Sequence, residues 1–468
     1  VTGKFAGGSG GRRRKPPAAA APPAPVEPVI VGAAPAPADA AQANSPPPDA
    51  RGLDPVPAEP GPAAGSPAAP APGANPDGAQ AFTTTAPLVP DASAAAPAPH
   101  WLLYGANGYT GLLVLAEALR RGLRPILAGR RAAEVEALAH EHGLPARSFD
   151  LTNAATLRAA LDGASLVLHC AGPFSATCAP MLEACLTVGA HYVDITGEID
   201  VFAHCHAEHA RARQRGVNLV PGAGFDVVPT DSLAALLARD AADPRELVLA
   251  FEAGGGPSPG TARTSVEGLA RGGRVRRAGA LVDVPLAWKE RTFLRDGVPR
   301  AATTIPWGDV YTAHLTTGAP DIEVYMAMPP ATIARLRRWR WLAPLAGLGP
   351  LRRWLAGRAG AVRGPSDARR AVSGCRVWGE LRGADGTLHR AELDTPNGYD
   401  VTAWCAVGIV ERLLRDPPRE GGYRTPSQLM GADWILSMPG VRLGGPRTEP
   451  ATPSAPQPTS PPQPASPP

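Results

Sequence analysis

The sequence predicts an α/β protein: an N-terminal Rossmann-like doubly wound parallel sheet plus a second mixed α/β domain, with disordered Pro/Ala-rich tails. Three observations carry this. Six strand-like apolar runs alternate with helical periodicity between residues 101 and 221. A glycine-rich turn joins the first of these runs to the first helix. Of the 56 prolines, 33 fall in residues 1–99 and 446–468, which leaves about 346 residues for folding, too many for one compact core.

WLLYG (101–105) reads as a strand and Thr110 to Arg121 as a helix with Leu112, Leu115, Ala116 and Leu119 on one face. RPILAG (124–129) is the next strand and Ala132 to His142 the next helix. The alternation continues through ARSF (146–149), Ala154 to Leu161, SLVLHC (165–170), Cys178 to Val188, HYVDI (191–195), Val201 to Arg215 and VNLVP (217–221). Residues 100–230 are thus expected to form the nucleotide-binding domain. After Gly224 the pattern breaks. A helix from Asp231 to Arg239 leads into LVLAFEA (247–253), then CRVWGEL (375–381) and LHRAELD (388–394) flank the turn Ala384, Asp385, Gly386. Residues 231–395 read as the mixed substrate domain, and Asn397 to Leu414, within a segment 396–445, as a helix returning to the first domain. The Ala/Pro-rich residues 1–99 and the Pro-rich residues 446–468 cannot bury enough apolar surface to offset ordering.

Composition excludes several classes. No apolar run approaches the ~20 residues of a bilayer span. The basic residues comprise 43 Arg and three Lys (Lys4, Lys15, Lys289) beside heavy Ala, Gly and Pro usage, a codon-type bias that discounts arginine counts. Six cysteines without a CxxC pair make neither a disulfide framework nor a zinc ribbon and suit a reducing, cytoplasmic compartment. A net charge of +4 does not indicate a nucleic-acid binder. Arg12, Arg13, Arg14 and Lys15 precede Pro-Pro rather than an apolar signal core, so secretion is not expected.

Gly105, Gly108 and Gly111 form G-x-x-G-x-x-G between the first strand and first helix. Glycine there permits a tight turn and lets backbone N–H groups at a helix N-terminus approach a pyrophosphate. The expected cofactor loop is Gly105, Asn107, Gly108, Tyr109, Thr110 and Gly111. Where an acid after the second strand would accept from a ribose 2′-OH, this chain has Gly129, Arg130 and Arg131. Two guanidinium groups favour a 2′-phosphate; the alternative is a solvated loop in an arginine-biased chain. Asp150 is a candidate for adenine contact, and Ala171, Gly172 and Pro173 lie where a nicotinamide would reach.

His191, Tyr192, Asp194, Thr196 and Glu198 cluster at the fifth strand's end and Gly222, Gly224, Phe225 and Asp226 at the sixth's, and both ends are expected to open on the same crevice. A hydride transfer needs a nearby proton donor, and Tyr192, His191 or Asp226 could serve. Asp194 and Asp226 could equally be cap or turn residues, and strand residues could point into the packed faces. His204, Cys205, His206 and His209 lack further ligands at closed-site spacing, so no metal is expected. Lys289 reads as an exposed-loop residue rather than a base. Residues 331–363 hold eight arginines and no acid, with Trp339, Trp341 and Trp354, so they carry +8 while the rest of the chain carries −4. Two readings stay open for them: an interfacial hairpin at a lipid surface, or a helical excursion packed on its own domain with solvated arginines.

GANGYTG (105–111), AGPF (171–174), HYVDITGE (191–198), GFDVVPTD (224–231), PGTARTSVEGL (259–269) and IPWGDV (305–310) together resemble the saccharopine dehydrogenase-like oxidoreductases, closest to the branch containing the trans-acting enoyl reductases. The resemblance runs from about Trp101 to Gly440 and implies an NADP-dependent Rossmann domain. It implies reduction of an enoyl or oxo group on a lipid-like or carrier-bound acyl substrate, with Thr261, Ala262, Arg263 and Thr264 bordering the substrate side of the cleft. The alternatives are a saccharopine-type amino-acid or imine dehydrogenase, and a non-catalytic dinucleotide-binding protein at a lipid surface. Peripheral contact at the inner face of the plasma membrane through 331–363 would suit the first and last readings.

Overall fold

The apolar runs between residues 101 and 220 pair in parallel. The structure is a computed structural model that describes residues 100–450 except 270 and 348. In order come β1 (Trp101–Tyr104), α1 (Tyr109–Arg120), β2 (Ile126–Gly129), α2 (Ala132–His142), β3 (Ala146–Ser148), α3 (Ala154–Ala160), β4 (Leu166–His169), α4 (Phe174–Val188), β5 (His191–Asp194), α5 (Ile199–Ala207), α6 (His209–Gln214) and β6 (Asn218–Val220). β1, β2 and β4 are buried throughout, as expected of parallel strands covered by helices on both faces. Leu103, Leu168, Val193 and Val220 face one core, while Leu102, Tyr104, Val167 and Tyr192 face another with α3 and α4.

Three expected helices shift. α1 buries Gly111, Val114, Leu115 and Ala118 and leaves Leu112 exposed, because Gly111 lies flush against the backbone of the preceding loop and turns that side of the helix inward. α4 begins at Phe174, about a turn before Cys178, because the Glu198 carboxylate accepts from the N–H groups of Phe174 (2.8 Å) and Ser175 (3.0 Å). The helix expected over Val201 to Arg215 divides at Glu208 into α5 and α6.

The second half comprises α7 (Val228–Ala238), β7 (Pro244–Glu252), α8 (Pro259–Leu269), β8 (Gly273–Arg277), β9 (Ala280–Val284), β10 (Glu290–Arg295), β11 (Val298–Thr304), α9 (Asp309–Thr317), β12 (Asp321–Ala327) and α10 (Pro330–Trp339). A 3-10 stretch (Arg340–Gly347) follows, then α11 (Gly349–Gly360), α12 (Asp367–Ala371), β13 (Cys375–Gly383), β14 (Leu388–Thr395), α13 (Gly398–Arg415), β15 (Gly422–Tyr423), α14 (Pro426–Met430), a second 3-10 turn (Ala432–Ser437) and β16 (Arg442–Glu449). The first sheet runs β15-β6-β5-β4-β1-β2-β3 and the second β10-β11-β12-β7-β13-β14-β16, with β8 on β12 and β9 on β8. β7 and β12 are parallel; the other pairs of the second sheet are antiparallel.

The inner face of the second sheet (Leu247, Leu249, Phe251, Ile322, Val324, Val377) shares one core with α7, α13 and β1. α13 returns to the first domain: Arg121 of the turn after α1 ion-pairs with Glu411 (2.7 Å) and donates to the Trp404 carbonyl (3.0 Å). β15 then extends the first sheet beside β6. The tail expected from residue 446 is corrected: the chain runs in β16 to Glu449, paired with β14 and tied by Arg390 to Glu449 (2.5 Å). The tail expected over 1–99, and residues 451–468, lie outside the described residues. Among the described residues no helix is long and apolar enough to cross a membrane.

Candidate cofactor and active site

The strand order reverses between β4 and β1, and such a switch point opens a crevice at the carboxyl ends of the strands. The loop from Gly105 to Gly111 lies there. Gly105 adopts φ +83° and donates to the Ala128 carbonyl (2.8 Å). A Cβ on Gly105 would approach the Ala171 Cβ to 3.0 Å, so the glycine loop and the end of β4 meet. A Cβ on Gly111 would fall 2.2 Å from the Gly105 carbonyl oxygen. α1 starts at Tyr109 with no side-chain cap and no acid in its first turn, which presents its N-terminal dipole to an anion.

After β2, Arg130 and Arg131 are both exposed but differ in company. Arg131 ion-pairs with Glu134 (2.8 Å), which also accepts from the Asn107 amide (2.8 Å). Arg130 acts electrostatically on Tyr104 and Asp150. Burial pushes the Tyr104 phenol up to about 12, with Arg130 opposing. Asp150 is held below its usual range by the hydroxyl and N–H of Thr152, with Arg130 adding to the effect. Arg130 thus stands beside the third-strand loop that carries Asp150.

The three expected proton donors separate. Tyr192 is fully buried, and its hydroxyl donates to Asp194 Oδ2 (2.7 Å) within the core packed on α4. Asp194 also accepts from the N–H groups of Thr196 and Gly222 (both 3.0 Å), so the pair braces the loops after β5 and β6. Burial raises the Asp194 carboxyl to about 6. His191 is the first residue of β5, at the amino edge, and its Nδ1 accepts from Asn218 N–H (3.1 Å). Both are corrected as donors: one is sealed in the core and the other lies at the wrong end of its strand.

Asp226 follows β6 at the carboxyl edge and is partly exposed. A Cβ on Gly197 would come within 2.9 Å of its Oδ2, and Glu198, next in sequence, holds the start of α4 just after Ala171, Gly172 and Pro173. Burial, and then the charge of Glu198, raise the Asp226 carboxyl to about 7. Trp307 donates from Nε1 to the Asp226 carbonyl (2.6 Å). The crevice therefore offers an anion-binding helix terminus, a guanidinium at the end of β2 and a carboxyl that titrates near neutrality.

The family model described as the saccharopine dehydrogenase NADP binding domain matches residues 101–220. The chain is similar to a saccharopine dehydrogenase-like oxidoreductase of Mus musculus, 31% identical over 152 residues that cover 28% of this chain and 35% of that protein. It is similar to a trans-acting enoyl reductase of Mycobacterium ulcerans, 31% identical over 151 residues that cover 30% of this chain and 36% of that protein. The match thus spans about a third of each of these relatives. The fold is similar to that of a saccharopine dehydrogenase (L-Glu forming) from Saccharomyces cerevisiae, with a TM-score of 0.53 and 14% identity, covering 75% of this chain and all of that one.

The residues at this crevice fit such a cofactor: the glycine turn is closed so tightly that a Cβ at Gly111 would meet the loop's own backbone, and the exposed Arg130 stands at the end of β2. Of the far wall, the segment beginning at Thr261 was expected through the resemblance, whereas Tyr399 and Pro365 were not. Tyr109 donates to the Pro365 carbonyl (2.6 Å) and packs edge-on against Tyr399 at the start of α13. The Tyr399 hydroxyl accepts from Ser258 N–H (2.5 Å) and lies 3.2 Å from the Thr261 hydroxyl. Thr261, at the start of α8, is therefore across from the NADP binding loop. Only a register between distant segments joins these residues, and no local spacing signals it.

Other candidates lie elsewhere. His206 Nδ1 meets the Tyr311 hydroxyl (2.8 Å), and His209 Nδ1 accepts from Tyr423 N–H (3.2 Å). Lys289 sits with Arg277 on Glu323, in a depression of about 740 Å³ that also includes Trp288 and Tyr325. Tyr325 belongs to the outer face of the second sheet, away from the shared core.

Proposed function

We propose that this protein is an NADPH-dependent oxidoreductase that reduces an enoyl or oxo group on a lipid-like or carrier-bound acyl substrate. The observation that carries the reading is the convergence of the uncapped start of α1, Arg130 and a carboxyl raised to about 7 at one sheet edge. When bound, NADPH supplies the hydride. The backbone N–H groups from Asn107 to Gly111 hold the pyrophosphate, and Arg130 pairs with the 2′-phosphate. Asp226 holds the proton that balances the reduction, delivering it to the α-carbon of an enoyl substrate or the oxygen of an oxo substrate. The trans-acting enoyl reductase among the relatives supports the acyl class.

NADPH consumption by the full chain against enoyl thioesters, 3-oxoacyl thioesters, small amines and 2-oxo acids tests this. Turnover of a thioester is expected. Turnover of amines or 2-oxo acids alone would move the assignment to an amino-acid dehydrogenase. NADPH binding without turnover of any class would move it to a binding protein.

A further inference from the structure

We propose that the excursion from Pro330 to Gly360 is a docking face for an anionic lipid surface. This goes beyond the cofactor reading and does not depend on it. Five of the eleven large apolar side chains exposed among the described residues lie in this excursion, and its three indoles are 50–69% exposed. They follow an order along the chain. Trp341 and Leu345 occupy the turn between α10 and α11, Trp339 ends α10, and Leu351 and Trp354 lie in the first turns of α11. Arginines lie before, within and after the turn: Arg335, Arg337 and Arg338 before it, Arg340 between Trp339 and Trp341, and Arg358 and Arg363 after it.

The cations are not spent on the protein. Among the described residues, only Arg337 of these has a carboxylate partner, Glu290. Arg338 and Arg358 instead stack over Trp339 (5.8 Å) and Trp354 (5.1 Å). Exposed indoles and leucines interleaved with arginines along one excursion suit the boundary between acyl chains and phosphate headgroups, where the rings and the arginine stems meet the acyl region and the guanidinium groups meet phosphate. An acidic protein would satisfy the arginines but would leave the exposed leucines and indoles without a role, so the observations favour lipid.

The placement connects docking to the crevice. α11 packs on α8, whose Thr261 reaches Tyr399, and the chain leaving the excursion lands on the NADP binding loop. There a Cβ on Gly364 would fall 2.5 Å from the Tyr109 ring, and Pro365 accepts the Tyr109 hydroxyl. A docked excursion would hold the crevice beside the surface from which an acyl chain could be presented.

The test is co-sedimentation of the full chain, without cofactor, with vesicles of phosphatidylcholine alone and of phosphatidylcholine with phosphatidylserine. Binding to the anionic vesicles is expected, with loss on adding salt. An anionic surface is worth about fivefold in partitioning per arginine, so Arg335→Glu with Arg338→Glu should reduce binding by more than about tenfold. Trp341→Ser with Trp354→Ser should weaken it as well, and unchanged NADPH binding would show that these variants remain folded. Absence of binding to anionic vesicles, or equal binding to neutral ones, would overturn the proposal. Retention on an immobilised acidic acyl-carrier protein with no vesicle binding would overturn it too and assign the face to protein.

Discussion

Asp226 concentrates the chemistry proposed here in one carboxyl. Its folded-state value, about 7, exceeds the usual carboxylate range, so the folded protein binds that proton more tightly than the unfolded chain. Stability tied to this group is therefore greatest below the ordinary carboxylate value and declines as pH rises to about 7. Asp226→Asn should raise stability at pH 8 by roughly 2 kcal/mol and change it little in acid, as read by chemical denaturation. It should also lower kcat/KM at least about 100-fold and abolish the alkaline fall near neutral pH. Unchanged turnover would make solvent the donor. Arg130→Ala should weaken NADPH about tenfold or more and leave NADH nearly unaffected, since a charge-assisted bond to a 2′-phosphate is at stake. Arg131→Ala should do less, because Glu134 already holds that guanidinium. The residues after β1 and β2 were legible because the phosphate chemistry attaches to fixed offsets from a strand end. Tyr192 and His191 were not, because their burial and their end of the strand depend on neighbours remote in sequence.

At the scale of elements, the glycine turn is the most demanding. Gly111→Ala places a methyl against a backbone carbonyl 2.2 Å away, with no flexible side chain able to yield. The loop must move, so NADPH binding should fall below detection in a fluorescence titration, and stability should fall by roughly 1–3 kcal/mol. Strands β1, β2, β4, β5 and β6 were readable as apolar runs because parallel strands are buried on both faces, whereas β3 is a short, exposed edge strand. β9 is apolar but mostly exposed, and β10 is charged and mostly exposed, so neither shows the alternation that marks a half-buried strand. β16 contains Gly444, Gly445 and Pro446, a loop-like composition overridden by pairing with β14. The helix boundaries at Phe174 and Glu208 likewise depend on contacts, not propensity: Glu198 stabilises the first from across the crevice.

At the scale of the whole molecule, one core continues from the first sheet through α7 and α13 into the second. Arg121 pins this junction, ion-paired with Glu117 (2.6 Å) and Glu411 (2.7 Å), with a side chain only 12% exposed. Removing it leaves two carboxylates facing each other, so Arg121→Ala should cost roughly 2–3 kcal/mol in one cooperative transition while leaving NADPH affinity intact. The two-domain plan was visible in the break after Gly224 and the return of α13 in its long apolar helix, whereas the pairing of β15 with the first sheet and β16 with the second was not, because strand partners of such separation leave no local trace. The central claim is that the crevice at the switch point binds NADPH through the glycine loop and Arg130. Its most direct test is a paired fluorescence titration of the protein and its Arg130→Ala variant with NADPH and NADH. Tight NADPH binding, NADH binding at least about tenfold weaker, and collapse of that difference in the variant are expected. Equal affinity for both nucleotides in the unaltered protein, or an equal loss of both in the variant, would contradict it.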